Sequence, residues 1–258
     1  MPDLIHFSFF IRISQPILFF FILCLICVLC IAADTTPSNG DMELICPLVI
    51  INILTRTGTR PEHFKILEDS IKSQTCKNIR HIVSCDNPNC KTYLNSKDDL
   101  DVIQVKKNEN KLSAFYNLYL NDLAEHVTEG WIIILDDDSK LIDNNFIKNL
   151  AFECEIANKD DILIYQSFVK INKYILPPAN HIHKKFFQLG KIDMSCFCVH
   201  HSIFKNVKFD GRRIGDFNFL TKIKKKQIYN FKYLKIKPGI WANYDGEKFG
   251  LVYNLSHI

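Results

Sequence analysis

Residues 131–139 read Trp-Ile-Ile-Ile-Leu-Asp-Asp-Asp-Ser. The first five are apolar without alternation, so a strand here is expected to be covered on both faces, as in the parallel sheets of α/β folds. Asp136, Asp137 and Asp138 follow at once. Three adjacent carboxylates repel one another and persist only where cations or hydrogen bonds offset their charge. Carboxylates delivered by a buried strand to its carboxyl end suit a divalent cation and a phosphate-bearing ligand. A solvated turn is the plainer alternative, since Asp is common after strands.

The chain around this stretch alternates strand and helix. Leu48 to Leu54 reads as a buried first strand, and Thr55-Arg56-Thr57-Gly58-Thr59-Arg60-Pro61 as the loop after it. Thr59 and Glu62 have capping-box spacing, Pro61 suits a first helical turn, and Phe64, Leu67 and Ile71 form one helical stripe. Ile79 to Val83 is a second strand leading to Ser84-Cys85-Asp86-Asn87-Pro88, and Val102 to Val105 a third. Helices are expected over 112–127 and 145–156, a strand over 162–168, an extended stretch over 192–199 and a helix from Gly215 to Ile223. This order predicts an α/β fold with an open, mainly parallel, Rossmann-like sheet and ligands at the carboxyl ends of its strands.

From Ile17 to Ala33 the sequence carries no charge, which is near the shortest length that spans a bilayer as a helix. It shows no polar face, so it is read as a retained signal-anchor. A cleaved signal peptide is the alternative, with Cys30 and Ala32 before a cut and Asp34 beginning the mature chain. Arg12 is the only Lys or Arg before the run, which is a weak positive region for a cleaved signal. The acidic residues that follow (Asp34, Asp41 and Glu43) favour a cytosolic amino terminus. The expected organisation is a tail and anchor over 1–33, a linker over 34–44 and one domain over 45–258. As a single-pass type II membrane protein, it would hold its domain in the lumen of the endoplasmic reticulum or Golgi.

Of the chain's 258 residues, 32 are Lys or Arg and 28 are Asp or Glu, a net +4 too mild to argue for nucleic acid. Lys222, Lys224, Lys225 and Lys226, followed by Lys232, Lys235 and Lys237, read first as a solvated helix face, with phosphates or anionic lipid as the alternative. Seven of the ten cysteines lie outside the apolar run, an odd number that specifies no complete disulfide framework. In an oxidising lumen Cys85 and Cys90 are expected to close a loop. The sequon Asn254-Leu255-Ser256 is compatible with such a compartment.

Taken in order, these segments resemble the nucleotide-sugar glycosyltransferases of the GT-A type, particularly the family 2-like group and its short members from large DNA viruses and microbes. The resemblance covers about Ile45 to Phe219. It rests on TRTGTRP after the first strand, HIVSCDN, NENKLSAFYNLYL, WIIILDDDS, GKIDMSCFCVH, and Gly215-Asp216 before a helix. The commoner family form of the third segment is Gly-x-x-x-Ala-Arg-Asn, whereas Lys111, Phe115, Tyr116 and Asn117 stand here. The Gln-x-x-Arg-Trp signature of processive synthases is absent, so no polymerase is predicted.

The resemblance implies a metal-dependent inverting transfer from a nucleoside diphosphate sugar, UDP-linked, to a hydroxyl of a carbohydrate, glycan, lipid or protein. Asp136 and Asp138 would flank Mn2+ or Mg2+, with Asp137 on sugar hydroxyls or supporting the metal shell. Thr55, Arg56, Thr57 and Asn117 would meet the donor, and Asp86 the pyrimidine N–H. Asp216 would be the base, although from its position alone it is equally a helix N-cap. Asp193 would position sugar or acceptor, His200 or His201 would touch metal or diphosphate, and Trp241, Asn243 and Tyr244 would belong to a late acceptor loop. Two other functions remain open: a nucleotidyltransferase, against which the first loop lacks a Gly-rich activating motif, and a catalytically silent sugar- or nucleotide-binding relative.

Overall fold

A computed structural model describes residues 46–58, 60–85, 90–94, 100–105, 114–169 and 174–243. The apolar run 17–33, the linker 34–44, Thr59, Asp86, Lys111 and Tyr244 lie outside the described residues. Among the described residues no helix is long and apolar enough to cross a membrane.

The first half of the domain builds a parallel sheet outward from its centre. β1 (Ile51–Thr57) leads through α1 (Pro61–Lys72) to β2 (Ile79–Cys85), then past the short α2 (Lys91–Leu94) to β3 (Asp101–Gln104). A 3-10 turn (Phe115–Leu118) and α3 (Tyr119–Glu125) return the chain to β4 (Trp131–Ile134) on the other side of β1. After β5 (Lys140–Leu141), α4 (Phe146–Glu155) and β6 (Asp161–Ile164) come β7 (Ser167–Val169), β8 (Tyr174–Leu176) and α5 (Ala179–Lys184). β9 (Phe197–His200), α6 (Ile203–Asn206), α7 (Gly215–Lys225), β10 (Asn230–Tyr233) and β11 (Ile240–Ala242) complete the order. The large sheet runs β10-β6-β9-β4-β1-β2-β3, with β9 antiparallel to both neighbours and every other pair parallel.

Side-chain alternation explains why β4 is apolar throughout. Ile132 and Ile134 enter one core with Leu120, Leu123, Phe204 and Phe219; Trp131, Ile133 and Leu135 enter the other with Leu67, Ile71, Phe146 and Leu150. Both faces of the strand are covered by helices, so neither can be polar. The stripe on α1 is buried as its spacing predicts, at Phe64, Leu67 and Ile71. Its N-cap position is Arg60, without a side-chain cap, and Pro61 opens the helix. Gly130 brings the chain into β4 at φ +78°, and a Cβ there would lie 2.3 Å from the Ile50 carbonyl oxygen, so glycine is required.

Three segments differ from the sequence reading. β1 begins later and runs through Thr55, Arg56 and Thr57, because β2 stays paired with it to Thr57↔Cys85. The expected strand over 162–168 is two strands: β6 belongs to the large sheet, and β7 turns into a small one of order β5-β11-β7-β8. Cys85 and Cys90 are buried and not disulfide-bonded, whereas Cys46 and Cys76 form a disulfide. Cys85 is held inside β2 and Cys90 donates to the Gly58 carbonyl at 3.1 Å. The Cys46–Cys76 link closes a separation of 30 residues, so its removal by Cys76→Ser is expected to cost about 2–4 kcal/mol. Urea unfolding of the oxidised protein and of the variant checks this; equal midpoints would show that the link does not constrain the unfolded chain.

Candidate functional site

The register of β1 against β4 builds one wall of the site. Leu54 lies abreast of Ile134 and its carbonyl receives the Leu135 N–H at 3.1 Å. Carried two and three residues further, that offset sets Arg56 beside Asp136 and Thr57 beside Asp137. Arg56 donates from Nε to Asp136 at 2.8 Å and from Nη2 to both carboxylate oxygens at 2.5 Å. Thr57 Oγ1 donates to Asp137 at 3.0 Å. A fork of N–H donors on a carboxylate is the stronger and more directional form of ion pair, and only 8% of the Arg56 side chain remains exposed.

Arg60 closes the other side of the acidic turn. It pairs with Asp137, which is fully buried, and donates to Asp138 at 2.9 Å. The sequence places Arg60 in a loop; its signal is a second Arg four residues after Arg56, in a chain that also carries a run of three acids. Asp137 therefore bridges Thr57 and Arg60. Burial pushes its pKa up to about 7, Arg60 acting in the opposite direction. Asp138 is raised as well, by burial and then by Asp136.

A second wall comes from the segment before α3 and from the chain beyond β8. Arg56 donates to Asn117 Oδ1 at 2.5 Å, lies with its guanidinium carbon 4.8 Å from the Tyr116 ring centroid, and touches the Met194 sulfur. Asn117 in turn donates to the Arg212 carbonyl at 2.9 Å. A Cβ on Gly215 would lie 2.5 Å from Asn117 Nδ2, so the glycine lets the start of α7 come close. Asp216 follows it inside the first turn of α7 and accepts the Phe217 N–H at 2.7 Å; the N-cap position is Ile214. Burial and the charge of Asp193 push Asp216 up to about 7, against its backbone bonds and Arg56. Asp193 caps the 3-10 turn Met194–Cys196 by accepting from Ser195 N at 2.9 Å and Ser195 Oγ at 2.6 Å. Burial and Asp136 raise its pKa, while the Ser195 bonds and Arg56 lower it.

Asp136, Asp137, Asp138, Asp193 and Asp216 thus gather around Arg56 and Arg60, leaving an excess of carboxylate. An all-oxygen donor set of this kind suits Mg2+ or Mn2+. Among the described residues no three His, Cys, Asp or Glu side chains converge as a metal cage. Such cations are commonly held by one or two carboxylates, with substrate phosphates and water filling the shell. Asp136, whose side chain is 30% exposed, and Asp138 fit that smaller role.

Other predicted residues go elsewhere. Thr55 is fully buried and its hydroxyl is 2.9 Å from His81 Nε2, so it does not reach the rim. His200 and His201 lie at the opposite rim: β9 runs antiparallel to β4, which pairs His200 with Trp131 at the beginning of β4. There His200 Nδ1 is 2.9 Å from Ser202 Oγ, and burial, His201 and Lys159 lower its pKa to about 4. The same reversal brings Asp193, which precedes β9, to the acidic rim. Trp241 pairs with Lys140 in the small sheet that begins just after Asp138, and Asn243 follows at φ +48°. Asp86 lies outside the described residues.

No family model and no curated protein sequence matches the chain. Solved structures do. TarS residues 1–349 from S. aureus superposes with a TM-score of 0.57 at 14% identity, over 75% of this chain and 60% of that one. Its complex with UDP-GlcNAc gives 0.57 at 13%, over 75% and 58%. The mannosyltransferase PcManGT from Pyrobaculum calidifontis, in complex with GDP-Man and Mn2+, gives 0.52 at 15%, over 86% and 64%. The fold is a glycosyltransferase fold. The chain spans about three fifths of the length of these structures.

Two outcomes test this electrostatic arrangement. Arg60→Met leaves Asp137 and Asp138 without their cation and is expected to cost about 3 kcal/mol. Adding Asp137→Asn should return part of that loss, and urea unfolding of the four proteins in the cycle measures the coupling; strict additivity would show that the pair does not interact. Asp216, with a folded pKa raised above its unfolded value, contributes stability that is present below the unfolded pKa and lost as pH rises through about 7. Asp216→Asn should therefore be more stable than the parent at pH 8, with the difference shrinking towards pH 5.

Proposed function

We propose that the domain transfers a sugar from a nucleoside diphosphate sugar, UDP-linked, to an acceptor hydroxyl by a single inverting displacement assisted by Mn2+ or Mg2+. One observation carries the reading: on a glycosyltransferase fold, Arg56 and Asn117 tie the acidic turn after β4 to the helix start that bears Asp216. The acceptor oxygen forms its bond to the anomeric carbon as the bond to the diphosphate breaks, and the hydroxyl proton passes to the Asp216 carboxylate. A base with a pKa of about 7 is matched to neutral operating conditions. Arg56 supplies fixed N–H donors and positive charge on the donor side, and Asp137 keeps Arg60 and Thr57 in place behind it. A cation held by Asp136 and Asp138 would offset the charge of the departing diphosphate.

A silent nucleotide- or sugar-binding relative is the second reading. It is favoured by the arginine partners that all three carboxylates of the turn already have. Thermal melts with UDP and GDP, with and without Mn2+, followed by a screen of donors for diphosphate release, separate the two. Enzymatic transfer predicts a metal-dependent shift, largest with UDP, and release that Asp136→Asn and Asp138→Asn each reduce at least about a hundredfold. Near-normal turnover of both variants at saturating Mn2+ would remove the carboxylates from the mechanism. Activity should rise with pH to a plateau above about 7 as Asp216 ionises. Asp216→Asn should lower kcat with little change in donor affinity. A product that keeps the donor's anomeric configuration would refute the displacement.

The same proposal places the domain behind an anchor at 17–33 in an oxidising lumen, a placement that the Cys46–Cys76 disulfide supports. Carbonate extraction and protease protection of a carboxyl-terminal tag test retention and side. Digestion of the tag in sealed microsomes would put the domain in the cytosol and leave the chemistry unaffected.

A further inference from the structure

Residues 162–192 and 217–244 contain twelve lysines and neither Asp nor Glu; all 28 acids lie in the rest of the chain. Their described parts meet where β6 and β10 end. A cavity of about 250 Å3 lies there, walled by Gln166, Ala179, Ile182, His183, Leu234, Lys235 and Ile236. Since β10 is parallel to β6, and β6 and β4 are both antiparallel to β9, the cavity lies at the same rim as Asp136 to Asp138.

Its wall continues into the acidic site. Gln166 precedes Ser167, whose hydroxyl is 2.9 Å from Ser195 Oγ, which donates to Asp193. From the other side, Phe187 lies 5.9 Å from the ring of Phe217, the neighbour of Asp216, and 5.4 Å from Phe231 on β10. Lysines on an edge strand also guard against unwanted pairing, which accounts for Lys232 on β10, itself bonded to Asp161. That explanation does not extend to Lys235, which stands beyond the strand, is exposed, and has no ion-pair partner among the described residues.

We propose that this cavity is an acceptor subsite for a phosphate-bearing group, with Lys235 and the His183 imidazole as its polar ligands and Ile182, Leu234 and Ile236 as the apolar wall. It rests on the glycosyltransferase reading. At ~30 Å3 per water the volume equals about eight waters, room for a phosphate with a short polyol attached. The excess of positive charge then works twice, drawing an anionic acceptor towards the rim and holding its phosphate while the hydroxyl faces Asp216. A neutral acceptor would gain nothing from it.

The full-length chain saturated with UDP is titrated with glycerol 3-phosphate, glycerol and dihexanoyl phosphatidylglycerol, with binding read from 31P line broadening and protein melting. A phosphate compound should bind at least tenfold more tightly than glycerol. Lys235→Gln with His183→Gln should abolish that preference while leaving the UDP response unchanged. The tighter of the two phosphate probes tells a free phosphate ester from a lipid headgroup. Equal binding by parent and double variant, or weaker glycerol 3-phosphate binding to the UDP-saturated chain than to the chain without UDP, would overturn the proposal. So would loss of the preference only in Lys224→Gln/Lys225→Gln/Lys226→Gln, which would assign the charge to the surface of α7. Because UDP is followed in the same melts, a missing UDP response marks failure of the enzymatic reading separately.

Discussion

The site depends on one ion pair placed where water is scarce. Arg56 leaves solvent inside a central strand, a costly position for a cation unless its donors are met. Asp136, Asn117 and the face of Tyr116 meet them, the first from the turn after β4 and the other two from the 3-10 turn before α3. Satisfying one guanidinium therefore fixes the acidic turn, the segment before α3 and, through Asn117, the approach of α7. The later carboxylates, Asp193 and Asp216, feel the same positive charge, which lowers their pKa values against the larger upward push of burial.

Local pattern made the layers legible. A five-residue apolar run with acids at its end reads as a doubly covered strand because both neighbours in the alternation are apolar, and the stripe on α1 needs only a period of 3.6 residues. Strand direction was not legible. Whether β9 runs with or against β4 is decided by pairing between distant segments, and it alone determines whether Asp193 or His200 reaches the acidic rim. The same holds for β1: Thr55-Arg56-Thr57 has loop composition, and only β2 on its far side keeps it extended.

Arg60 and the disulfide mark a second limit. Either arginine of the first loop suits a phosphate, and nothing local says that one is committed to Asp136 and the other to Asp137 and Asp138. Likewise Cys85 and Cys90 are close in sequence and share one small apolar cluster with Phe64, Val83 and Leu94 without being disulfide-bonded, while Cys46 finds Cys76 across the beginning of two strands. Proximity along the chain was a poor guide in both cases because parallel sheets bring together residues that are far apart in it.

The Cys46–Cys76 bond also has a mechanical meaning. It sits just ahead of β1 and ties the incoming chain to the turn that opens β2. Tension arriving from upstream is thereby divided between two adjacent strands, and it loads them at the end remote from the acidic turn. Peeling β1 from its amino end would disturb the offset against β4 that sets Arg56 beside Asp136. The cross-link acts as a strain relief for that register, so the leading segment can be tugged or displaced without detuning the carboxylates.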